Sequence, residues 1–163
     1  VILLAIDPGT TESAWVRYDT IARSPLVWAK EPNADVLKQL HSDPAPGRLG
    51  DPHHVVIEML QSYGMPAGRE MFETAVWIGR FMEAWLNGTD VQTISRMYRP
   101  TVKGHICGDA KAKDANVRQA LLDRYGGKEA AIGNKAKRGP LWGMKADVWA
   151  ALALAITWSE THQ

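Results

Sequence analysis

Three carboxylates stand at the ends of apolar runs that lie far apart in this chain of 163 residues: Asp7 closes VILLAID, Glu58 follows Val55-Val56-Ile57 in HHVVIEM, and Asp147 opens DVWAALALAIT. The first two runs are short and rich in β-branched residues, which suits buried strands, and the third has helical spacing. A charge at the end of a buried strand is costly unless something compensates it. These acids converge only if the strands carrying Asp7 and Glu58 lie side by side and the terminal helix packs against them. Such a convergence would build a divalent-metal site.

The rest of the sequence is compatible with that constraint. A hydrophobic fraction of 45% argues against disorder. No apolar stretch approaches the roughly 20 residues needed to cross a bilayer. Length points to one domain spanning residues 1–163, long enough to bury a core. The lone cysteine, Cys107, has no internal disulfide partner, so a reducing, cytoplasmic setting is expected. Net charge is only +1, but Arg96, Arg99, Lys103, Lys111 and Lys113 cluster in one segment, and Lys128, Lys135, Lys137, Arg138 and Lys145 in another. This distribution suits a phosphate-binding face. Solvated loop lysines that maintain solubility are the alternative.

Along the chain, VILLAI, AWVRY and PLVWAK read as three strands of a meander, with DPGTTES as turn chemistry after the first. A short helix is expected over Asp35–His41, then an exposed loop, SDPAPGRLGDP, then the HHVVIEM strand. The spacing predicts a helix from about Glu70 to Asn87 with two apolar stripes. Phe72, Ala75, Val76, Gly79, Met82 and Leu86 form one, and Trp77, Phe81 and Trp85 the other. One stripe would face the sheet and the other could meet a partner subunit; the alternative is that the aromatic stripe packs against another helix of this chain. DVQTISR reads as a further strand, RPTVKGHI as a turn of helix, and VRQALLDRY as a helix ended by Gly126-Gly127. The basic, glycine-containing stretch after it is expected to be mobile. DVWAALALAITWSE is a strong final helix with Val148, Ala151, Leu152, Ala155 and Ile156 on one face. The sum is a mixed sheet with helices on its faces.

Hard oxygen donors suit Mg²⁺ or Mn²⁺, whereas zinc would call for closely spaced His and Cys. His53 and His54 are adjacent and Cys107 stands alone, so zinc is not expected. Each acid also has an ordinary explanation. Asp7 with Pro8-Gly9 makes a turn. Glu58 could pair with Arg69 or Arg80. Asp147 sits where any helix favours an acid.

Taken together, DPGTT after the first strand, IEM on the fourth, KAKDANVRQAL and KADVWAALALA resemble the RuvC-type Holliday junction resolvases, in particular their phage-encoded branch. The resemblance covers almost the whole chain. It implies an α/β, RNase H-like fold: a five-stranded mixed sheet, with a three-stranded antiparallel meander plus two parallel strands, and helices on both faces. It further implies a metal-dependent endonuclease acting as a homodimer on four-way DNA junctions. Asp7, Glu58 and Asp147 would be ligands to Mg²⁺ or Mn²⁺, two ions per site, with no nucleotide cofactor and no membrane.

The same likeness makes Lys111 and Lys113 contacts to the scissile phosphate, Lys113 the better placed because it directly precedes a helix. Tyr63, Met65 and Arg69 would contact or wedge junction bases. Arg99, Lys103, Lys135, Lys137 and Arg138 complete the expected DNA-binding set. The sequence departs from the family at Met144, where another acid or a histidine is usual, and a thioether is a poor ligand for Mg²⁺. Lys145 beside it is a candidate auxiliary cation. Two rival readings are a non-catalytic binder of branched DNA and an actin- or sugar-kinase-like nucleotide-binding domain, the latter resting on DPGTT alone. Side chains of these acids pointing apart, or any of the three locked into an ordinary ion pair, would count against the metal site and with it the nuclease reading.

Overall fold

The computed structural model describes residues 1–42, 52–88 and 94–162. Its first apolar run is strand β1 (Ile2–Asp7), paired antiparallel with β2 (Glu12–Asp19), which pairs antiparallel with β3 (Ser24–Pro32). On its other side β1 runs parallel to β4 (His54–Met59), and β4 runs parallel to β5 (Ile94–Tyr98). The sheet therefore has five strands in the order β3-β2-β1-β4-β5. This is the expected meander plus two parallel strands. Strand β5 lies further along the chain than DVQTISR suggests, and residues 90–93 of that stretch fall outside the described residues, as does most of the SDPAPGRLGDP loop.

Strand alternation sorts the core into two layers. Leu4, Ile6, Val55 and Ile57 point to one face and pack with helices α1 (Asn33–Ser42) and α2 (Arg69–Gly88) through Val36, Leu40, Ile78, Phe81 and Trp85. Leu3, Ala5, Val16 and Val56 point to the other. That face is covered by α3 (Arg99–Cys107), α4 (Asp114–Arg124), the short α5 (Lys128–Ala131) and α6 (Val148–Thr161). Helix α3 is longer than the single turn expected because Pro100 sits in its first turn, where a missing N–H costs nothing, and Gly108 closes it in the left-handed conformation (φ 73°). Ten residues of α6, from Val148 to Ser159, are buried, not one face alone. A helix apolar all round must be enclosed, and here the sheet lies beneath it while α3 and α4 flank it.

The alternative in which the aromatic stripe of α2 packs within the chain is the one the structure takes, with Phe81 and Trp85 buried against α1 and the sheet. Phe72 and Val76 of the other stripe are 63% and 58% exposed. Aromatic rings bury more area than Val or Ala, so they take the core side. The basic stretch after α4, expected to be mobile, is a hydrogen-bonded turn. Gly133 and Arg138 bridge, the Asn134 side chain accepts the N–H groups of Ala136 and Lys137, and Leu141 N–H reaches Ala131 C=O at 2.8 Å. Gly133 (φ 69°) and Gly139 allow the backbones to approach where any Cβ would collide.

Because Phe81 is fully buried, Phe81→Ala is expected to lower stability by about 3–5 kcal/mol. Urea denaturation followed by circular dichroism measures this; a change under about 0.5 kcal/mol, typical of surface sites, would mean that the aromatic stripe is not the core side.

Candidate metal centre

The pairing register decides which side chains meet. Ile6 lies opposite Ile57 in the parallel β1–β4 ladder, so Asp7 and Glu58, one residue on, stand side by side on the face that α6 covers. Further along the same row, Glu58 pairs with Met97, Asp7 with Ala14, and Ala14 with Lys30. The row thus carries acid, acid, alanine and lysine across the sheet. Asp147 sits at the N-cap position of α6 on the same face, delivered by a left-handed backbone at Ala146 (φ 52°). For a residue with a Cβ that conformation costs roughly 1–2 kcal/mol.

The turn behind Asp7 is rigidly tied. A Cβ on Gly9 would lie 2.2 Å from the carbonyl oxygen of Glu12, so only glycine fits. Ser13 Oγ accepts the Gly9 N–H and donates to Asn33 Oδ1 at 2.6 Å, and Asn33 Nδ2 donates to the Gly9 carbonyl. Ser13 and Asn33 are each 1% exposed, so this polar network is buried and satisfied. Thr10 faces Thr74 at 3.5 Å and takes no part in binding Asp7.

Electrostatically the three acids form one unit, although their oxygens are not gathered into a ligand shell. Burial raises the Asp7 pKa well above the usual carboxylate range, Glu58 and Asp147 raise it further, and Arg99 and Lys30 oppose them. Among the described residues the Asp7 carboxylate makes no hydrogen bond or ion pair. Glu58, with 12% of its side chain exposed, meets Arg99 Nη1 at 3.0 Å. Burial raises its pKa too, and Arg99 pulls the other way. Asp147 leaves its helix uncapped and meets Lys30 Nζ at 2.6 Å. Among the described residues no three His, Cys, Asp or Glu side chains stand close enough to hold an ion as placed.

Two of the three acids are therefore ion-paired, the circumstance that counts against a ready-made metal site. The partner of Glu58 is Arg99, neither Arg69 nor Arg80; Arg80 lies over the Trp77 ring at 4.2 Å. Even so, the residues fit a hard cation. All three donors are carboxylates, and Asp7 keeps a carboxylate that nothing compensates directly. The Lys30–Asp147 pair is half in solvent, with side chains 35% and 55% exposed, so it contributes only about 0.2–1 kcal/mol.

Beside the acids opens a pocket of about 60 Å³ lined by Glu58, Arg99, Lys103, Asp114, Asp147 and Trp149, among others. Arg99 and Lys103, expected on a DNA-facing surface, are turned into it: Arg99 also reaches Asp114 at 2.8 Å and Lys103 reaches it at 3.3 Å. Hydrogen bonding to Arg99 lowers the Asp114 pKa. Lys113 is the N-cap residue of α4, exposed next to Asp114, and Lys145 is exposed two residues before Asp147. Lys111, Lys135, Lys137, Arg138, Tyr63, Met65 and Arg69 are exposed as well. Met144 is a core residue, 6% exposed, and points into the α4–α6 layer.

Lys30 and Asp114 are the site residues that sequence reasoning missed. Asp114 begins the helix after Lys113 and reads as ordinary first-turn chemistry. Lys30 becomes visible only once the meander is aligned residue by residue.

No protein-family model matches the chain, and no curated protein matches it. Solved structures do. Thermus thermophilus RuvC aligns over 99% of this chain and 96% of its own, with 17% identity and a TM-score of 0.68. T. thermophilus RuvC in complex with Holliday junction substrate aligns over 96% and 91%, with 19% identity and a TM-score of 0.63. The fowlpox virus Holliday junction resolvase aligns over 99% of both chains, with 15% identity and a TM-score of 0.53. The fold is the RNase H-like fold of these proteins.

The raised pKa of Asp7 has a testable sign. The folded state holds the Asp7 proton above the ordinary value of 3.8. Stability from this group is full below that pH, falls as pH rises toward the folded pKa, and is gone above it. Asp7→Asn is expected to raise the Tm in EDTA by a few degrees at pH 7.5 and by little near pH 4. Equal shifts at both pH values in a calorimetric scan would contradict charge crowding at Asp7.

Proposed function

We propose that this chain is a divalent-metal-dependent endonuclease that resolves four-way DNA junctions by paired nicks. The observation that carries the reading is the meeting of Asp7, Glu58 and Asp147 on one face of an RNase H-like sheet. The likeness to T. thermophilus RuvC, one structure of which is in complex with Holliday junction substrate, and to the fowlpox virus Holliday junction resolvase supports the substrate class.

Asp7, Glu58 and Asp147 would hold Mg²⁺, with Mn²⁺ able to replace it, two ions per site. When bound, such ions neutralise charge on the phosphate in transit and lower the pKa of attacking water. The chain's own residues do the rest. The Ser13–Asn33 network fixes the backbone of the turn that follows Asp7. Lys113, next to Asp114, and Lys145, two residues before Asp147, are exposed and offer point charges suited to a moving phosphate. Lys111, Lys135, Lys137 and Arg138 supply further exposed charge for the DNA backbone, and Tyr63, Met65 and Arg69 offer surfaces for stacking against or parting bases. Arg99 and Lys103 set the charge inside the pocket.

A second reading, binding without cleavage, is favoured by the ion pairs on Glu58 and Asp147 and by the buried Met144. One assay separates the two. A synthetic four-way junction incubated with Mg²⁺ is expected to be cut into nicked duplexes, and Asp7→Asn to abolish cutting while retaining the gel shift. Binding without cutting under Mg²⁺ and Mn²⁺ would select the second reading, and normal cutting by Asp7→Asn would refute the assignment of Asp7.

A homodimer would bring two such sites to opposing strands of an approximately two-fold junction. The exposed Phe72 and Val76 on α2 are the surface that supports it. Val76→Glu is expected to halve the mass in light scattering without loss of helical signal. An unchanged mass would place the contact elsewhere.

A further inference from the structure

We infer that Lys30 is a resident counterion of the metal centre: its ammonium holds Asp147 in the metal-free protein and must be released when a divalent cation enters. The inference deepens the metal reading above and rests on it.

The sheet register is the first support. Lys30 shares a row with Asp7 through Ala14, and Ala14 is 1% exposed with a side chain too short to fill the gap between them. A four-carbon stem starting two strands away can therefore span the space above Ala14. It does so toward the N-cap of α6, ending 2.6 Å from Asp147 Oδ2. The second support is the behaviour of Asp147. At an N-cap position its carboxylate would ordinarily accept a backbone N–H of its own helix. It makes no such bond and takes Lys30 instead.

The third support is charge. Asp7, Glu58, Asp147 and Asp114 crowd one region, and Lys30, Arg99 and Lys103 are the cations paired with them. A divalent ion placed among the same acids would repel those cations and compete for the same oxygens. The two flanks differ in how easily they yield. Arg99 is tied to two acids at once and begins a helix, so it can release Glu58 and remain held by Asp114. Among the described residues Lys30 has one ion-pair partner; it lies on an edge strand of the sheet and is exposed. It can swing away without disturbing the backbone. Entry of a cation at Asp147 is thus an exchange of charge, which makes divalent affinity weaker than the acids alone would give.

The test needs neither DNA nor cleavage. Mn²⁺ and Mg²⁺ alone are titrated calorimetrically into wild-type protein, Lys30→Met and Lys30→Arg. Removing a competing exposed ion pair is expected to tighten Mn²⁺ binding roughly two- to fivefold in Lys30→Met. Lys30→Arg, which keeps the charge, should bind no tighter than wild type. A parallel measurement uses the wild type only: acetylation of Lys30 followed by mass spectrometry should speed up on adding Mg²⁺, relative to Lys38, an exposed lysine elsewhere on the chain. Wild-type binding with unchanged affinity in Lys30→Met and an unchanged Lys30 labelling rate would overturn the role of Lys30 and leave the metal centre standing. No detectable divalent binding by any of the three proteins would overturn the metal reading and this inference with it.

Discussion

The parallel pairing of β1 with β4 is the constraint from which the site follows. It brings two carboxylates side by side at the end of a buried row, where burial and like charge both work against ionisation. The fold answers with cations brought from distant parts of the chain: Arg99 from the start of α3 to Glu58, and Lys30 from β3 to Asp147. Asp7, at the centre, receives only their more distant influence. A region so arranged is attractive to a hard divalent cation even though its side chains are turned toward internal partners.

Placement of α6 is the second element of the design. Its nearly complete burial between the sheet and α3–α4 supplies much of the core on that face, and the same packing fixes the position of Asp147. Stability and site geometry are thus coupled, and the left-handed Ala146 is the local cost of making the chain turn into that helix. At its far end, Trp158 packs on His54 with ring centroids 4.2 Å apart, and both contact Ser95 of β5. Burial there pushes His54 down to about 4, so the neutral ring is the one that packs.

Much of this was legible in the chain itself because it depends on local periodicity. The five strands, the long α2, the α4 helix and the apolar final helix all leave short-range patterns, and Asp7, Glu58 and Asp147 stand out as acids at the ends of apolar runs. Gly9 was legible as a turn residue, and the contact it makes with the Glu12 carbonyl gives the reason. The side of α2 that faces inward was not legible, because two stripes of similar hydropathy compete and only the cavity they meet distinguishes them. The hydrogen-bonded turn over residues 133–139 was missed because its Gly, Asn and Lys composition is shared by loops that have no such bonds.

What the sequence determined by itself is the set of donors and the elements that carry them: three acids, their strands and their helix, and a surplus of basic side chains in two segments. What the tertiary structure alone decided is the pairing of charge. Lys30 meets Asp147 across 117 positions of sequence and Arg99 meets Glu58 across 41, and no local pattern encodes either contact. They arise because strand register and helix packing convert distant residues into neighbours: the largely buried Glu58 takes the cation brought within its reach, and the half-exposed Asp147 meets Lys30 at the rim of the same face.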